Sequence, residues 1–373
     1  MLTLICLLLF VNVLQAQERL QVVASFSILA DVTQQVAGAA ADVRSLIPVG
    51  ADPHTFTPTP QDLVALAQAD LVLVSGVNFE EGLLEAIVNA GADMPLIVAS
   101  ECVMILPVGG HDDEEEEHEE GEEAQGDEGA LSEDVAAASA RCTAAYAELG
   151  MEMHEESEQE DAEHRSEPLG PLYALDCGGH EGEEGGSGDE HAHGSCDPHL
   201  WTNPENVMLW TLTIRDALSA ADPANAAAYA ANAAAYIAAL RALDNEELMP
   251  LVATLPEANR VLITNHETLG YFAAHYDFEL VGVVYEGGGT TGEPGAAEVA
   301  ALVDTIRSTG VAAIFAETTV GDLLIQRVAE ETGVIVATLY SDTLSAADEP
   351  APTYLDYMRY NVQTIVSALT PAN

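Results

Sequence analysis

The sequence predicts an α/β protein with two lobes, each built on a central, mostly parallel sheet flanked by helices. Short runs rich in valine, leucine and isoleucine alternate with helical segments, which is the pattern of parallel sheets that are buried on both faces. This alternation occurs once on each side of an alanine-rich segment. The chain has 373 residues, which is more than one typical domain core contains. We therefore expect two similar lobes with a cleft between them.

Eight apolar runs are the predicted strands, four in each lobe. They span residues 20–25, 43–47, 71–75, 96–99, 260–264, 278–284, 311–315 and 334–339. The predicted organisation is a signal segment, an N-terminal lobe interrupted by an insertion, a linking helix and a C-terminal lobe. The predicted boundaries are 1–16 for the signal segment, 17–107 and 197–221 for the N-terminal lobe, 108–196 for the insertion, 222–255 for the linking helix and 256–373 for the C-terminal lobe.

The linking helix is predicted from the segment that begins at Asp222 and Pro223, a capping residue followed by proline at the first helical position. Alanine dominates the sequence from there to Leu248, and alanine has the highest helix propensity. A helix of about 26 residues would be roughly 39 Å long at 1.5 Å per residue, which is enough to connect both lobes as a spine. Pro250 and Pro256 are then expected to end it. The alternative is an ordinary surface helix packed on one lobe.

The first residues resemble a secretory signal. Residues 2–14 are apolar, and Ala16 precedes the polar Gln17, as at a cleavage site. No Lys or Arg precedes Arg19, so the usual positive flank is missing. Cys6 lies inside the apolar run instead of at its polar end, so we expect no lipid anchor. No later run reaches the eighteen or so apolar residues that a membrane helix needs. The sequence predicts a soluble, exported protein that is periplasmic or extracellular.

The charge of the chain excludes one class of partner. The sequence has 63 acidic and 10 basic residues, with a formal net charge of −53. Such a charge repels nucleic acids and anionic membranes. Acidity also keeps exported proteins soluble and attracts cations without selectivity, so charge alone does not identify a ligand.

Four residues are the candidate ligands of a metal ion. His54 and His199 each follow an Asp-Pro pair, His266 follows a predicted strand, and Asp342 follows the last one. Because ligands of open parallel sheets bind at the carboxyl ends of strands, these loops are expected to converge on one cleft. Three imidazoles and one carboxylate suit zinc. The alternative for each single histidine is an exposed loop residue without a ligand.

Two further side chains lie near this predicted site. Glu317 ends a predicted strand and is expected to be either a fifth ligand or an acceptor behind the ligands. His275 lies on a predicted helix, where a packing role is favoured over metal binding.

The insertion contains auxiliary candidates in an acidic, low-complexity setting. Its possible auxiliary ligands are His111, His118, His191 and His193, and the best small clusters are His191-Ala192-His193 and His111-Asp112-Asp113. They suit several weak zinc sites. Such a segment cannot bury enough apolar surface to order itself, so most of it is predicted to be disordered. Two parts are expected to be exceptions, a helix over 131–149 and a locally apolar segment at 168–177. The alternative role is a solubilising insert with incidental metal affinity.

Four cysteines follow the signal segment, at Cys102, Cys142, Cys177 and Cys196. An even number in an exported chain predicts up to two disulfides, with three pairings open. A soft metal site is the alternative. It is disfavoured because no pair has the Cys-x-x-Cys spacing of zinc clusters.

The sequence gives no support for an enzyme. Catalytic zinc keeps one position open for water, whereas four protein ligands leave little room. No His-Glu-x-x-His pattern is present, and the glycines at 287–289 are not followed by the Gly-Lys-Ser/Thr ending of a phosphate-binding loop.

The ordered motifs resemble a known family. They are Ala24-Ser25-Phe26-Ser27-Ile28-Leu29-Ala30-Asp31, Gly50-Ala51-Asp52-Pro53-His54-Thr55-Phe56, Gly76-Val77-Asn78-Phe79-Glu80, Asp197-Pro198-His199-Leu200-Trp201-Thr202-Asn203-Pro204, Asn265-His266-Glu267-Thr268-Leu269-Gly270-Tyr271-Phe272 and Leu339-Tyr340-Ser341-Asp342. Over nearly the whole mature chain, the sequence is similar to the zinc-binding subgroup of the cluster A-I substrate-binding proteins of ABC transporters.

That resemblance implies a function and a set of ligands. His54, His199, His266 and Asp342 would hold the metal, and the protein, expected to be a monomer, would deliver it to a membrane permease. Manganese-type relatives carry Glu where this chain has His266, so zinc is expected as the transported ion in preference to manganese. A manganese-binding transport protein remains the alternative within the family, and an extracellular zinc buffer or adhesin is the alternative outside it.

Overall fold

The computed structural model describes residues 19–80, 82–83, 86–87, 95–107, 133–153, 168–174, 196–285 and 295–371. The predicted signal segment lies outside these residues, as do Cys177, most of the insertion and its four candidate histidines. Within the described part of the chain, no helix is long and apolar enough to cross a membrane.

The N-terminal lobe contains a four-stranded parallel sheet in the order β2-β1-β3-β4. Its elements are β1 (Leu20–Ala24), α1 (Ser27–Ala37), β2 (Ala41–Ser45), α2 (Pro60–Ala67), β3 (Leu71–Val74) and β4 (Leu96–Val98). Every residue of β3 is buried, as expected for a central strand covered on both faces.

The C-terminal lobe repeats this architecture with the strand order β10-β9-β7-β8, again parallel. Its elements are β7 (Val261–His266), α7 (Gly270–Tyr276), β8 (Glu279–Tyr285), α8 (Ala296–Thr309), β9 (Ala313–Glu317), α9 (Leu323–Thr332), β10 (Ile335–Leu339) and α10 (Tyr354–Leu369). The two-lobed α/β prediction is confirmed, and each predicted strand overlaps an observed one.

A helical spine connects the two lobes. It follows α4 (Pro204–Ala221) and consists of a 3₁₀ turn, α5 (Ala226–Ala242), a π-helical segment (Leu243–Leu248) and α6 (Met249–Val252). The helix α5 packs on α1 and α4, whereas α6 and the π segment contact α10 of the other lobe. The spine is therefore not a surface helix of one lobe.

The spine differs from the prediction near its end. Pro250 lies in the first turn of α6 and does not end the spine, which ends at Val252, before Pro256. A proline there lacks the N–H that an uninterrupted α-helix would use, and the π segment immediately before it departs from regular α-helical bonding. The change of helix type thus accommodates the proline without ending the spine.

The root of the insertion is anchored on the N-terminal lobe. The short strands β5 (Met104–Ile105) and β6 (Gly170–Pro171) pair antiparallel, and Pro107 pairs with Cys196 across the neck. The predicted helix is present as α3 (Glu133–Leu149). A disulfide ties it to the lobe.

That disulfide joins Cys102 to Cys142. Cys196 is also disulfide-bonded. The prediction of disulfides is confirmed for these cysteines, and the alternative of a soft metal site is not.

Candidate metal site

The loop that follows β2 carries His54. Its end is fixed where α2 begins, because Thr59 and Asp62 form a capping box in which each side chain accepts from the other's backbone N–H. The backbone N–H of His54 donates to the Asp52 carboxylate at 2.9 Å. The turn therefore presents the imidazole at the carboxyl end of the sheet.

His199 is presented by the second Asp-Pro-His turn. Its backbone N–H donates to Oδ1 of Asp197 at 2.9 Å, which repeats the bond at the first turn. Here the imidazole is held as well, with Nδ1 2.8 Å from the same oxygen. Because that contact occupies Nδ1, Nε2 is the nitrogen that faces the centre of the site.

The C-terminal lobe supplies the other two candidates. His266 is the last residue of β7, and Asp342 lies three residues after β10 ends. The side chains of His199, His266 and Asp342 are fully buried, whereas that of His54 is 14% exposed. His54 is thus the candidate nearest to solvent.

The structure brings these four side chains to one point between the lobes. Nε2 of His54, His199 and His266 lies 4.0, 3.8 and 3.7 Å, respectively, from a carboxylate oxygen of Asp342. One ligand atom from each residue lies within 4.8 Å of all the others. Whether these residues bind a metal stays a prediction.

The polar atoms at this point have no hydrogen-bond partner among the described residues. They are Nε2 of each of the three histidines and Oδ1 of Asp342, all buried. Buried polar groups are normally paired, and leaving one unpaired costs about 1–3 kcal/mol. A cation that accepts three nitrogen lone pairs and one carboxylate oxygen would satisfy all four atoms.

The three histidines of the site differ in the direction of their pKa shifts. Burial, reinforced by the charges of His199 and His266, lowers the pKa of His54 to about 3. Burial also lowers the pKa of His199 well below its usual value. Both imidazoles are therefore neutral near pH 7, which is the form that binds metals.

His266 behaves differently because of Glu317. Burial alone would lower the pKa of His266, but the negative charge of Glu317 and the contact between the two side chains outweigh burial and raise it to about 9. In return, His266 lowers the pKa of Glu317 against the effect of burial. Burial raises the pKa of Asp342 to about 7, although His266 opposes this rise.

Glu317 lies behind His266 and not among the four converging side chains. Its Oε2 is 2.9 Å from Nδ1 of His266, and its Oε1 accepts the backbone N–H of the same residue at 3.1 Å. Of the two predicted roles, this geometry favours the acceptor that orients a ligand over the fifth ligand. His275, predicted to pack, lies away from the site with Nε2 3.0 Å from Asp244.

The sequence reasoning missed the apolar wall of the site. The Phe79 ring packs edge-on against His54, with ring centroids 5.4 Å apart, and also contacts Trp201 at 4.6 Å. Glu80, which is fully buried, fixes this turn by accepting from the Ser25 hydroxyl at 2.6 Å. In the sequence, Phe79 and Glu80 lie in the motif Gly76-Val77-Asn78-Phe79-Glu80, and no local pattern indicates that Phe79 contacts His54.

Two parallel α/β lobes are joined by a helical spine, and a buried cluster of histidines and an aspartate lies between them. This combination is typical of one class of protein, the metal-binding components of ABC transporters. The sequence profile of the family described as "ZnuA: Zinc-uptake complex component A periplasmic" matches residues 22–368. The chain therefore belongs to this family. It is a family of solute-binding transport proteins and not of enzymes, which confirms the expectation that the chain is not an enzyme.

Similar proteins are named for different metals. The manganese-binding lipoprotein MntA of Halalkalibacterium halodurans is 28% identical over 95% of this chain and 89% of its own length. The iron-binding protein YfeA of Yersinia pestis is 26% identical over 93% of this chain and 86% of its own length.

Solved structures share the fold. The periplasmic zinc-binding protein TroA of Treponema pallidum aligns with a TM-score of 0.68 and 21% identity, over 95% of this chain and 100% of that chain. A manganese-bound periplasmic metal-binding protein from Candidatus Liberibacter asiaticus aligns with a TM-score of 0.66 and 23% identity, over 94% of this chain and 99% of that chain. At these identities the likeness establishes the fold alone.

The names of the relatives contradict one expectation. The position of Cys6 inside an apolar run predicted that no lipid anchor is present, but MntA and several streptococcal relatives are lipoproteins. The expectation that no lipid anchor is present is therefore wrong for these relatives. The apolar run itself lies outside the described residues.

Proposed function

We propose that this protein captures zinc outside the cytoplasm and delivers it to the membrane permease of a metal ABC transporter. The observation that carries the proposal is the convergence of three imidazole nitrogens and one carboxylate oxygen, all buried and unpaired, at the junction of the lobes. In this proposal His54, His199, His266 and Asp342 are the ligands. The lobe, insertion and linker boundaries predicted from the sequence are retained with it.

The donor set favours zinc over manganese. Zinc binds imidazole more strongly than manganese does, and it accepts a tetrahedron of nitrogen and oxygen ligands. Manganese prefers more oxygen donors and water. Three nitrogens with one carboxylate, beside the apolar Phe79 and Trp201, therefore support a dry, four-coordinate ion.

Manganese is the second candidate, and two observations favour it. Several relatives are named as manganese-binding. The separations of 3.7–4.0 Å between the histidine nitrogens and Asp342 exceed the roughly 3.3–3.6 Å between ligands placed tetrahedrally at 2.0–2.2 Å from zinc. Zinc would therefore have to draw the lobes together slightly, whereas a larger ion would require less contraction.

Competitive titration distinguishes the two metals. The purified full chain is stripped of metal and titrated with zinc and with manganese against a chelator of known affinity for each. The proposal expects one site per chain that zinc occupies in the presence of a hundredfold excess of manganese. Displacement of zinc by equimolar manganese would assign the protein to manganese transport instead.

An extracellular zinc buffer remains the alternative outside transport. In a buffer, the acidic insertion would hold most of the metal, and the site between the lobes would contribute little. Removing residues 111–193 separates the two functions. Retention of one tight site supports transport, whereas loss of all tight binding supports buffering.

A further inference from the structure

The neck of the insertion is closed by a residue of the opposite lobe. Leu106 precedes the insertion and Asp197 follows it, and the N–H of Asp197 donates to the carbonyl of Leu106 at 2.8 Å. The hydroxyl of Tyr271, on α7 of the C-terminal lobe, joins the same two residues. It accepts the N–H of Leu106 at 2.9 Å and donates to the carbonyl of Asp197 at 3.1 Å. Tyr271 is only 3% exposed.

The same helix contacts the side chain of Asp197. Gly270 precedes Tyr271, and a Cβ placed on Gly270 would lie 2.4 Å from Oδ2 of Asp197. The absence of a side chain at this position therefore leaves the space that the carboxylate occupies. Because Oδ1 of Asp197 holds the imidazole of His199, the start of α7 is in contact with the group that orients His199.

The two contacts connect one candidate ligand to another across the lobes. His266 ends β7, and α7 begins four residues later. A movement of the C-terminal lobe that carries His266 away would also withdraw Tyr271 and Gly270 from the neck. The N–H of Leu106 and the carbonyl of Asp197 would then lose partners, and the Asp197 carboxylate would lose its packing.

We propose that Tyr271 is a positioning residue that couples lobe separation to the orientation of His199. With the lobes together, the hydroxyl of Tyr271 fixes the neck, Gly270 leaves room for Asp197, and Asp197 aims Nε2 of His199 at the metal. With the lobes apart, His199 loses this support, so the metal is released from two ligands at once. This inference rests on the proposed function, because it assumes that His199 and His266 are ligands.

Two tyrosines of α7 provide a matched comparison. Tyr276 is also 3% exposed, and its hydroxyl donates to Asp244 of the spine at 2.7 Å, away from the neck. Tyr271→Phe and Tyr276→Phe each remove one buried hydroxyl from the same helix. A role confined to stability predicts similar effects for the two variants, whereas a positioning role predicts an effect on metal release for Tyr271→Phe alone.

The experiment measures the rate of zinc release from the loaded full chain into excess chromophoric chelator by stopped flow. Changes behind a metal ligand typically cost 10–100-fold in affinity, so Tyr271→Phe is expected to release zinc at least about tenfold faster. Tyr276→Phe is expected to stay within about twofold of the unmodified protein. Equal rates for the two variants, or an unchanged rate for Tyr271→Phe, would overturn the proposal.

A second variant tests the neck without removing a hydrogen bond. Gly270→Ala pushes on the Asp197 carboxylate, and Gly321→Ala, where an added Cβ meets nothing within 4 Å, is its control. With cobalt as the probe, Gly270→Ala is expected to weaken the visible absorption of a four-coordinate ion, and Gly321→Ala to leave it intact. An unchanged spectrum in Gly270→Ala contradicts the proposal. If zinc binding instead survives His266→Ala undiminished, the proposed function itself fails, which is a separate result.

Discussion

Glu317 holds the inner nitrogen of His266, with Oε2 2.9 Å from Nδ1. Nε2 of the same ring lies 3.7 Å from Asp342, and the negative charge of Glu317 outweighs burial and raises the pKa of His266 to about 9. The site therefore contains two neutral histidines and one that is protonated at neutral pH. The charge of that third histidine has a measurable consequence when a cation binds.

Metal binding near pH 7 is expected to release between one and two protons. Below pH 9 His266 carries a proton that a metal must displace, whereas His54 and His199 have none to lose. Asp342, with a pKa of about 7, is partly protonated at pH 7 and loses a further fraction of a proton. Affinity should therefore rise by more than about tenfold per pH unit near pH 7, where both groups lose protons, and by about tenfold per unit as the pH approaches 9, and should level off above pH 9. Calorimetry in buffers of different ionisation enthalpy counts the protons directly.

Glu317→Gln provides the control for this count. Removing the negative charge lowers the pKa of His266, so proton release at pH 7 should decrease while one metal still binds. Proton release that is unchanged in the variant would show that the proton comes from another group.

The loss of a histidine ligand should reduce zinc affinity more than changes behind the ligands do. His54→Ala and His266→Ala are each expected to weaken binding by more than about 100-fold, since changes behind a ligand already cost 10–100-fold. His275→Ala is the control, because His275 contacts Asp244 and not the site. Calorimetry that shows equal affinities in all three variants would exclude the assignment.

The disulfide between Cys102 and Cys142 should contribute stability and not metal affinity. It closes a sequence separation of 40 residues, for which chain entropy predicts about 4 kcal/mol. The double variant Cys102→Ala, Cys142→Ala should lower the free energy of unfolding by about 2–4 kcal/mol in denaturant titrations. Its zinc affinity should stay within about threefold of the unmodified protein, and a larger loss would place the bridge in the binding site.

Removal of the acidic insertion tests the source of tight binding. A chain without residues 111–193 is expected to retain one tight zinc site, because the four converging side chains lie outside that segment. Weak additional binding should disappear, since the carboxylates and histidines of the insertion go with it. Equilibrium dialysis at several zinc concentrations measures both classes of site.

The strands and the four converging residues could be predicted because each depends on local sequence. An apolar run such as Leu71–Val74 is buried on both faces wherever the parallel sheet continues, and polar residues after such runs fall at one edge of the sheet. The alanine-rich spine was predictable for the same reason, since helix propensity acts within a short window.

The supporting residues could not be predicted in this way. Tyr271 contacts Leu106, 165 positions away, and no periodicity relates the two. The need for a glycine at position 270 comes from the Asp197 carboxylate, which approaches it only when the two lobes are in contact. The π segment Leu243–Leu248 likewise could not be predicted, because the sequence shows the proline at 250 but not how the helix accommodates it.

X-ray absorption at the zinc edge, on full-length protein loaded with one zinc ion, tests the central claim most directly. The account predicts a four-coordinate shell of nitrogen and oxygen at about 2.0–2.2 Å, with outer scattering from three imidazoles that falls to two in His266→Ala. A six-coordinate shell of oxygen with little imidazole scattering, unchanged in His266→Ala, would contradict it.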